Sequence, residues 1–179
     1  MKVKTNYRWV AKVIVIGILA SVVFTLASAQ ILGGVGYVMA FILLFVFILL
    51  GIVFDLIGVA VTAADMAPLH AMAAHREKGA AEAVKMIRNA EKVSSFCNDV
   101  VGDISSIVSG STAAIITARL IVDFNTENLL IQLSISAFVT ALTIGGKAVG
   151  KTMALNSSTY IVLRVGKLMN FLSGFFRKK

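Results

Sequence analysis

Two carboxylates one helical turn apart, Asp99 and Asp103, stand at the entrance to a long apolar stretch, and carboxylates in that setting are functional-site candidates. On an α-helix their spacing puts both on one face, and Gly102, Ser106 and Gly110 continue that side at small-xxx-small intervals. Ionised oxygens are costly inside a bilayer and persist where they meet a partner helix, a counter-charge or a water-filled path, so the chemistry on offer is the binding or passage of a cation. A second place has the same character. Gly51, Asp55, Gly58 and Thr62 recur at helical spacing inside another apolar run, either as a packing stripe with one satisfied acid or as part of an ion path.

Other reactive residue types form no constellation. Cys97 is the single cysteine, cannot make an internal disulfide, and reads as a small buried hydrophobe. His70 and His75 are five positions apart and share no helix face, which argues against a metal pair. There is no nucleophile-base pair. Gly146 to Thr152 ends in Gly-Lys-Thr but lacks the glycine spacing of a phosphate-binding loop. Enzyme chemistry is therefore not expected.

The elements that must position these residues are membrane helices. A chain of 179 residues with 58% hydrophobic content, one Pro and a mean hydropathy of +0.90 is far too apolar for a soluble domain of its size. The net charge of +8 does not indicate nucleic acid, because Lys and Arg flank the apolar runs and form no separate basic domain. The expected partner is the lipid bilayer of the cell membrane. The fold class expected is all-α, a polytopic bundle of about four spans with juxtamembrane amphipathic helices on the cytoplasmic side.

Taken in order, residues 1–32 form a first transmembrane helix or a signal peptide. Lys2, Lys4, Arg8 and Lys12 precede the apolar run Val13 to Leu26, and Ala27-Ser28-Ala29 follows it, a pattern that also fits cleavage near residue 29. Retention, with Trp9 at the interface, is favoured because no soluble exported domain follows. Further spans are expected at 37–63, 96–121 and 128–146, the last bounded by Gly145-Gly146. The Ala-rich, charged segment 65–92 and the tail 157–176 read as amphipathic helices along the inner membrane face, the former broken near Gly79 and capped by Asp65.

Orientation follows from the basic residues. Lys2 to Lys12, then Arg76, Lys78, Lys85, Arg88 and Lys92, then Lys147, Lys151, Arg164, Lys167 and Arg177 to Lys179 fall on one side, against Arg119 alone on the other. The positive-inside rule assigns both termini to the cytoplasm if the first helix is retained. Small-residue faces at Gly51 and Gly58, and at Gly102 and Gly110, are expected to pack helices or to join the chain to a second copy or a membrane complex.

Three places in residues 33–179 resemble one family. Ala73-Ala74-His75-Arg76-Glu77-Lys78-Gly79 with Ala80 to Lys92 looks like a charged, Gly-punctuated cytoplasmic segment. Gly102-Asp103 is similar to a Gly-Asn pair that opens the next span, and Gly146-Lys147-Ala148-Val149-Gly150-Lys151-Thr152 resembles a Gly-Glu-x-x-Pro-Lys-Thr break in the last one. In this order they resemble the transmembrane domain of the cyclin-M/CorB/CorC family of magnesium and cobalt transporters. That resemblance implies a membrane protein that binds or transports Mg²⁺ or Co²⁺ as cargo, with no other cofactor. The paired nucleotide-binding CBS modules of many relatives have no counterpart in the sequence.

The departures bear on mechanism. The family's Ser-x-Ser-Glu motif aligns with Gly58-Val59-Ala60-Val61, so Thr62 or Asp55 would have to supply the missing oxygens. The Asn becomes Asp103, the motif Pro becomes Gly150, and the Glu becomes Lys147, a charge inversion. Two expectations remain. Asp55, Asp99, Asp103, Thr62 and Ser106 line a cation path, or the chain is a non-transporting subunit or regulator that kept the fold and lost the site. An ammonium in the first shell of Mg²⁺ is repulsive, and the complementary charge change at two positions that the resemblance puts at one site leads to the expectation that Lys147 acts as a tethered counter-charge, neutralising Asp103 or Asp99 where relatives bind a metal.

Overall fold

A computed structural model of the chain describes residues 7–34, 36–125 and 129–176, and among them all regular structure is helical. The helices are α1 (Tyr7–Gly34), α2 (Tyr37–Ala63), α3 (Met66–Ala74), α4 (Ala80–Arg88), α5 (Ala90–Ser95), a π-helical segment (Phe96–Gly102), α6 (Asp103–Asp123), α7 (Leu129–Asn156) and α8 (Ser158–Phe176). Three stretches are long and apolar enough to cross a membrane: Tyr37–Ala63, the continuous Ala90–Asp123, and Leu129–Asn156. Within α1, Ile14–Val23 is apolar.

The chain divides into two compact units. The first comprises residues 1–50 and 103–143, so it holds α1, the first half of α2, α6 and the first half of α7. Here α1 packs along α6. The buried side of α6 consists mainly of small or polar residues, including Ser105, Ser109, Thr112, Ala113 and Thr117, and such residues let helix backbones approach closely where no hydrophobic gain drives association in lipid. Hydroxyls on this helix are largely spent on its own carbonyls: Ser109 donates to Ser106 O at 3.0 Å and Thr117 to Ala113 O at 2.8 Å. Along α2, Ala40, Leu44 and Ile48 are buried at intervals of one turn while Phe41, Ile42, Phe45 and Val46 are exposed. That exposed surface is suited to hydrocarbon. Tyr37 at the start of α2 donates a hydrogen bond to Asp123 at the end of α6.

The second unit comprises residues 51–102 and 144–179. Asp65 starts α3 by accepting from Ala67 N at 3.0 Å, which satisfies one of the unpaired N–H groups of the first turn. A turn then leads to Gly79, whose φ of 81° is left-handed, a conformation glycine adopts without the Cβ penalty. The apolar stripe of this segment is buried within the protein. Leu69, Ala80, Ala83, Val84 and Met86 join Ala60, Val61, Ala154, Val162 and Leu163 in a protein core. Helix α8 closes that core by packing on α4 and α3. Two glycines permit the contact: a Cβ on Gly166 would collide with the Gly79 carbonyl oxygen and come within 3.0 Å of Ala83 N. Glu77 and Lys167 pair across the same junction at 3.1 Å, both half-exposed.

Helix α7 does not stop at Gly145-Gly146. It continues through Lys147 and Lys151 to Asn156. In the second unit Gly150 is in ordinary contact with Ile52 and Leu56 of α2, and Gly146 takes the Ile52 side chain where a Cβ would overlap it. Close packing of α2 against these glycines offsets their poor helix propensity, which costs about 1 kcal/mol each relative to Ala.

Candidate functional site

The site begins with the small-residue stripe of α2. Gly51, Asp55 and Gly58 are all buried, and their spacing stacks them on one side of the helix. Against Gly58 lies Asn98 of the π-helical segment. A Cβ at Gly58 would stand 2.7 Å from the carboxamide carbon of Asn98 and 3.1 Å from its Nδ2, so only glycine admits this side chain. The Asn98 Nδ2 donates to Ser94 Oγ at 3.4 Å, and its Oδ1 is the atom nearest the Gly58 Cβ position.

Two acceptors remain without a hydrogen-bond partner here, Asp55 Oδ2 and Asn98 Oδ1, and both are buried. Leaving a buried acceptor unpaired costs about 1–3 kcal/mol, and more for an ionised group. A helix turn separates residues 55 and 58 along α2, which sets Cβ atoms about 5–6 Å apart. The Asn98 carboxamide on Gly58 and the Asp55 carboxylate therefore occupy adjacent rungs of one stripe. Exceptions of this kind call for an explanation, and a bound ion is one.

Lys147 approaches from α7. Its Nζ is 3.8 Å from the Cβ position of Gly102, the residue four beyond Asn98, and the lysine is half-buried. The second unit thus brings α2, the π-helical segment and α7 together pairwise, each with a polar group at the junction: Asp55, Asn98 and Lys147. Chemically this offers one carboxylate oxygen, one neutral carbonyl oxygen and one ammonium.

The other expected residues are placed differently. Thr62 is exposed, and its hydroxyl donates to Val59 O at 2.8 Å on its own helix. Asp99 is exposed in the second unit; Asp103, exposed, and Ser106, half-buried, belong to the first. Asp99, Gly102, Asp103, Ser106 and Gly110 do not form a common inward face: Gly102 is buried, whereas Asp99, Asp103 and Gly110 are exposed. The reason is the backbone. Residues 96–102 are π-helical, and the wider i→i+5 turn breaks the α-helical stacking that the spacing implied. Its inward residues are Cys97, Val100 and Gly102, with Asn98 half-buried beside them.

Among the described residues, no group of three or more His, Cys, Asp or Glu side chains could hold a metal ion. A cation site here would combine Asp55 with carboxamide oxygen and water, a donor set that suits Mg²⁺, which uses one or two carboxylates and retains several waters. The residue that sequence reasoning missed is Asn98. Its signal was a neutral polar side chain one residue before Asp99 at the mouth of an apolar helix.

The first unit contains a separate cleft of about 370 Å³ between α6 and α7, lined by Gly110, Ala114 and Ala118 on one wall and Gln132, Ser136 and Thr140 on the other. Both rows repeat every four residues.

No family model, curated protein or solved structure matches the chain.

Proposed function

We propose that the chain is a cell-membrane protein of the CorB/CorC type that binds divalent cations, Mg²⁺ or Co²⁺, and carries them across the bilayer. The observation that carries this reading is the pair of buried, unpartnered oxygens, Asp55 Oδ2 and Asn98 Oδ1, on two helices that glycine brings together. Hard cations take such oxygens in place of lost water. The basic flanks support four spans, counting α1, with both termini cytoplasmic. The small and hydroxyl-bearing rows of the α6–α7 cleft support association with a second copy. Asp99, Asp103, Thr62 and Ser106 are not needed to hold the ion in this reading.

A specific observation favours a second reading, that of a non-transporting relative. Lys147 stands where the family has an acidic residue, and its ammonium is 3.8 Å from the Cβ position of Gly102, four residues beyond Asn98. A tethered cation there would take the place of a mobile one.

Uptake of Mg²⁺ and Co²⁺ by proteoliposomes separates the two. Under the transport reading the wild type moves ions and Asp55→Asn abolishes the flux. A wild type without flux that gains it on Lys147→Ala identifies the tethered-cation relative. Flux unaffected by Asp55→Asn overturns the site.

A further inference from the structure

Helix α8 is buried along one side and exposes large apolar side chains on another. Val162, Leu163 and Gly166 are buried where the helix packs on α4 and α3. Away from that side runs an i, i+4 ridge of Tyr160, Arg164, Leu168 and Leu172, all exposed. Phe171, with 73% of its surface exposed, and Met169 flank it. Large apolar side chains so displayed beside a basic residue mark an interfacial helix.

The level of α8 relative to the spanning helices of its own unit agrees. Ser158, its first residue, donates to the carbonyl of Ala63, the last residue of α2, at 3.3 Å, and α7 ends at Asn156 immediately before it. Both candidate spans therefore finish where α8 begins. The Arg164 guanidinium is held over the Tyr160 ring, 4.8 Å from its centroid, and donates to the Tyr160 hydroxyl. That leaves most of its five donors directed elsewhere. Residues 147–179 carry Lys147, Lys151, Arg164, Lys167 and Arg177 to Lys179 and no acid. Lys167 is already paired with Glu77, so Arg164 is the cation presented on the ridge itself.

We propose that this ridge is a binding site for an anionic phospholipid of the surrounding bilayer, with the phosphate on the Arg164 guanidinium, the Tyr160 ring at headgroup level, and the acyl chains along Leu168, Phe171 and Leu172. Charge complementarity selects the occupant: a planar guanidinium binds phosphate through paired N–H donors, and the basic surroundings favour a lipid of net negative charge over a zwitterionic one. The proposal does not depend on whether the chain transports ions.

Native mass spectrometry of the full chain in detergent, titrated separately with phosphatidylglycerol and phosphatidylcholine, tests it. The wild type retains phosphatidylglycerol in preference, and Arg164→Ala weakens that retention about fivefold, the effect of one basic residue at a lipid surface. Arg164→Lys restores part of it, Leu168→Ser with Leu172→Ser weakens both lipids, and Lys85→Ala on exposed α4 surface changes nothing. Equal retention of the two lipids by the wild type, or an Arg164→Ala variant that keeps the full preference, overturns the site. So does an Arg164→Ala variant that changes only the oligomeric state, since that outcome assigns the ridge to a second copy.

Discussion

Asn98 reaches the backbone of α2 at Gly58, where a Cβ would stand 2.7 Å from its carboxamide carbon, and this contact sets the depth at which an amide oxygen enters the second unit. The contact predicts a specific mutational signature. Gly58→Ala forces Asn98 to move and destabilises the protein by about 1–3 kcal/mol, the usual cost of overpacking. In the Asn98→Ala background the same change is tolerated, because the obstructing group is gone. Thermal unfolding in detergent, read as a double-mutant cycle, measures the coupling; additive effects would mean that the two residues do not meet.

The interlock of α4 and α8 should be the most substitution-sensitive place outside the spans. At Gly79 an added Cβ meets the backbone of Gly166 and Lys167, and the φ of 81° is already left-handed. Gly79→Ala therefore combines a steric clash with about 1–2 kcal/mol of backbone strain. Gly166→Ala suffers only the clash. The order expected from melting temperatures is wild type, then Gly166→Ala, then Gly79→Ala. Glu77→Gln, which removes a half-exposed ion pair, should cost under about 1 kcal/mol and matter less in high salt.

Thr112 carries the opposite expectation. It is fully buried in α6, and its hydroxyl has no hydrogen-bond partner. Thr112→Val keeps the branched shape and removes the orphan oxygen, so it should stabilise the protein by about 1 kcal/mol or leave it unchanged. A loss of stability, measured by the same melting assay, would indicate that the hydroxyl is used.

Much of this fold was legible in the sequence because hydropathy and glycine act locally. The apolar run of α2, its Gly51-Asp55-Gly58 stripe, the Asp65 cap and the break at Gly79 all follow from residue type and spacing. What escaped depends on tertiary contact. The π-helical turn at 96–102 has no signal in composition, yet it exposes Asp99 and Asp103 and leaves Asn98 against α2. Likewise the stripe Leu69, Ala80, Val84 is apolar whether it faces lipid or α8, and only packing decides between them. The double glycine at 145–146 read as a stop because nothing local reveals that Ile52 packs against Gly146.

Lys147 tests the electrostatics of the junction. Replacing its ammonium with a carboxylate in Lys147→Glu puts two acids and an amide oxygen among three packed segments, a better donor set for Mg²⁺ or Co²⁺. Added divalent cation should raise the melting temperature of this variant more than that of the wild type, as expected for a ligand bound only by the folded state. An identical response in both would separate Lys147 from the site.

Equilibrium binding of Co²⁺ to the purified full chain tests the Asp55–Asn98 assignment most directly. Asp55→Asn and Asn98→Ala should each weaken binding about tenfold or more, the scale of effect seen when metal-site residues are altered. Asp99→Asn, on an exposed side chain, should leave it unchanged. Wild-type affinity in the Asp55 and Asn98 variants, or a loss confined to Asp99→Asn, would contradict the account.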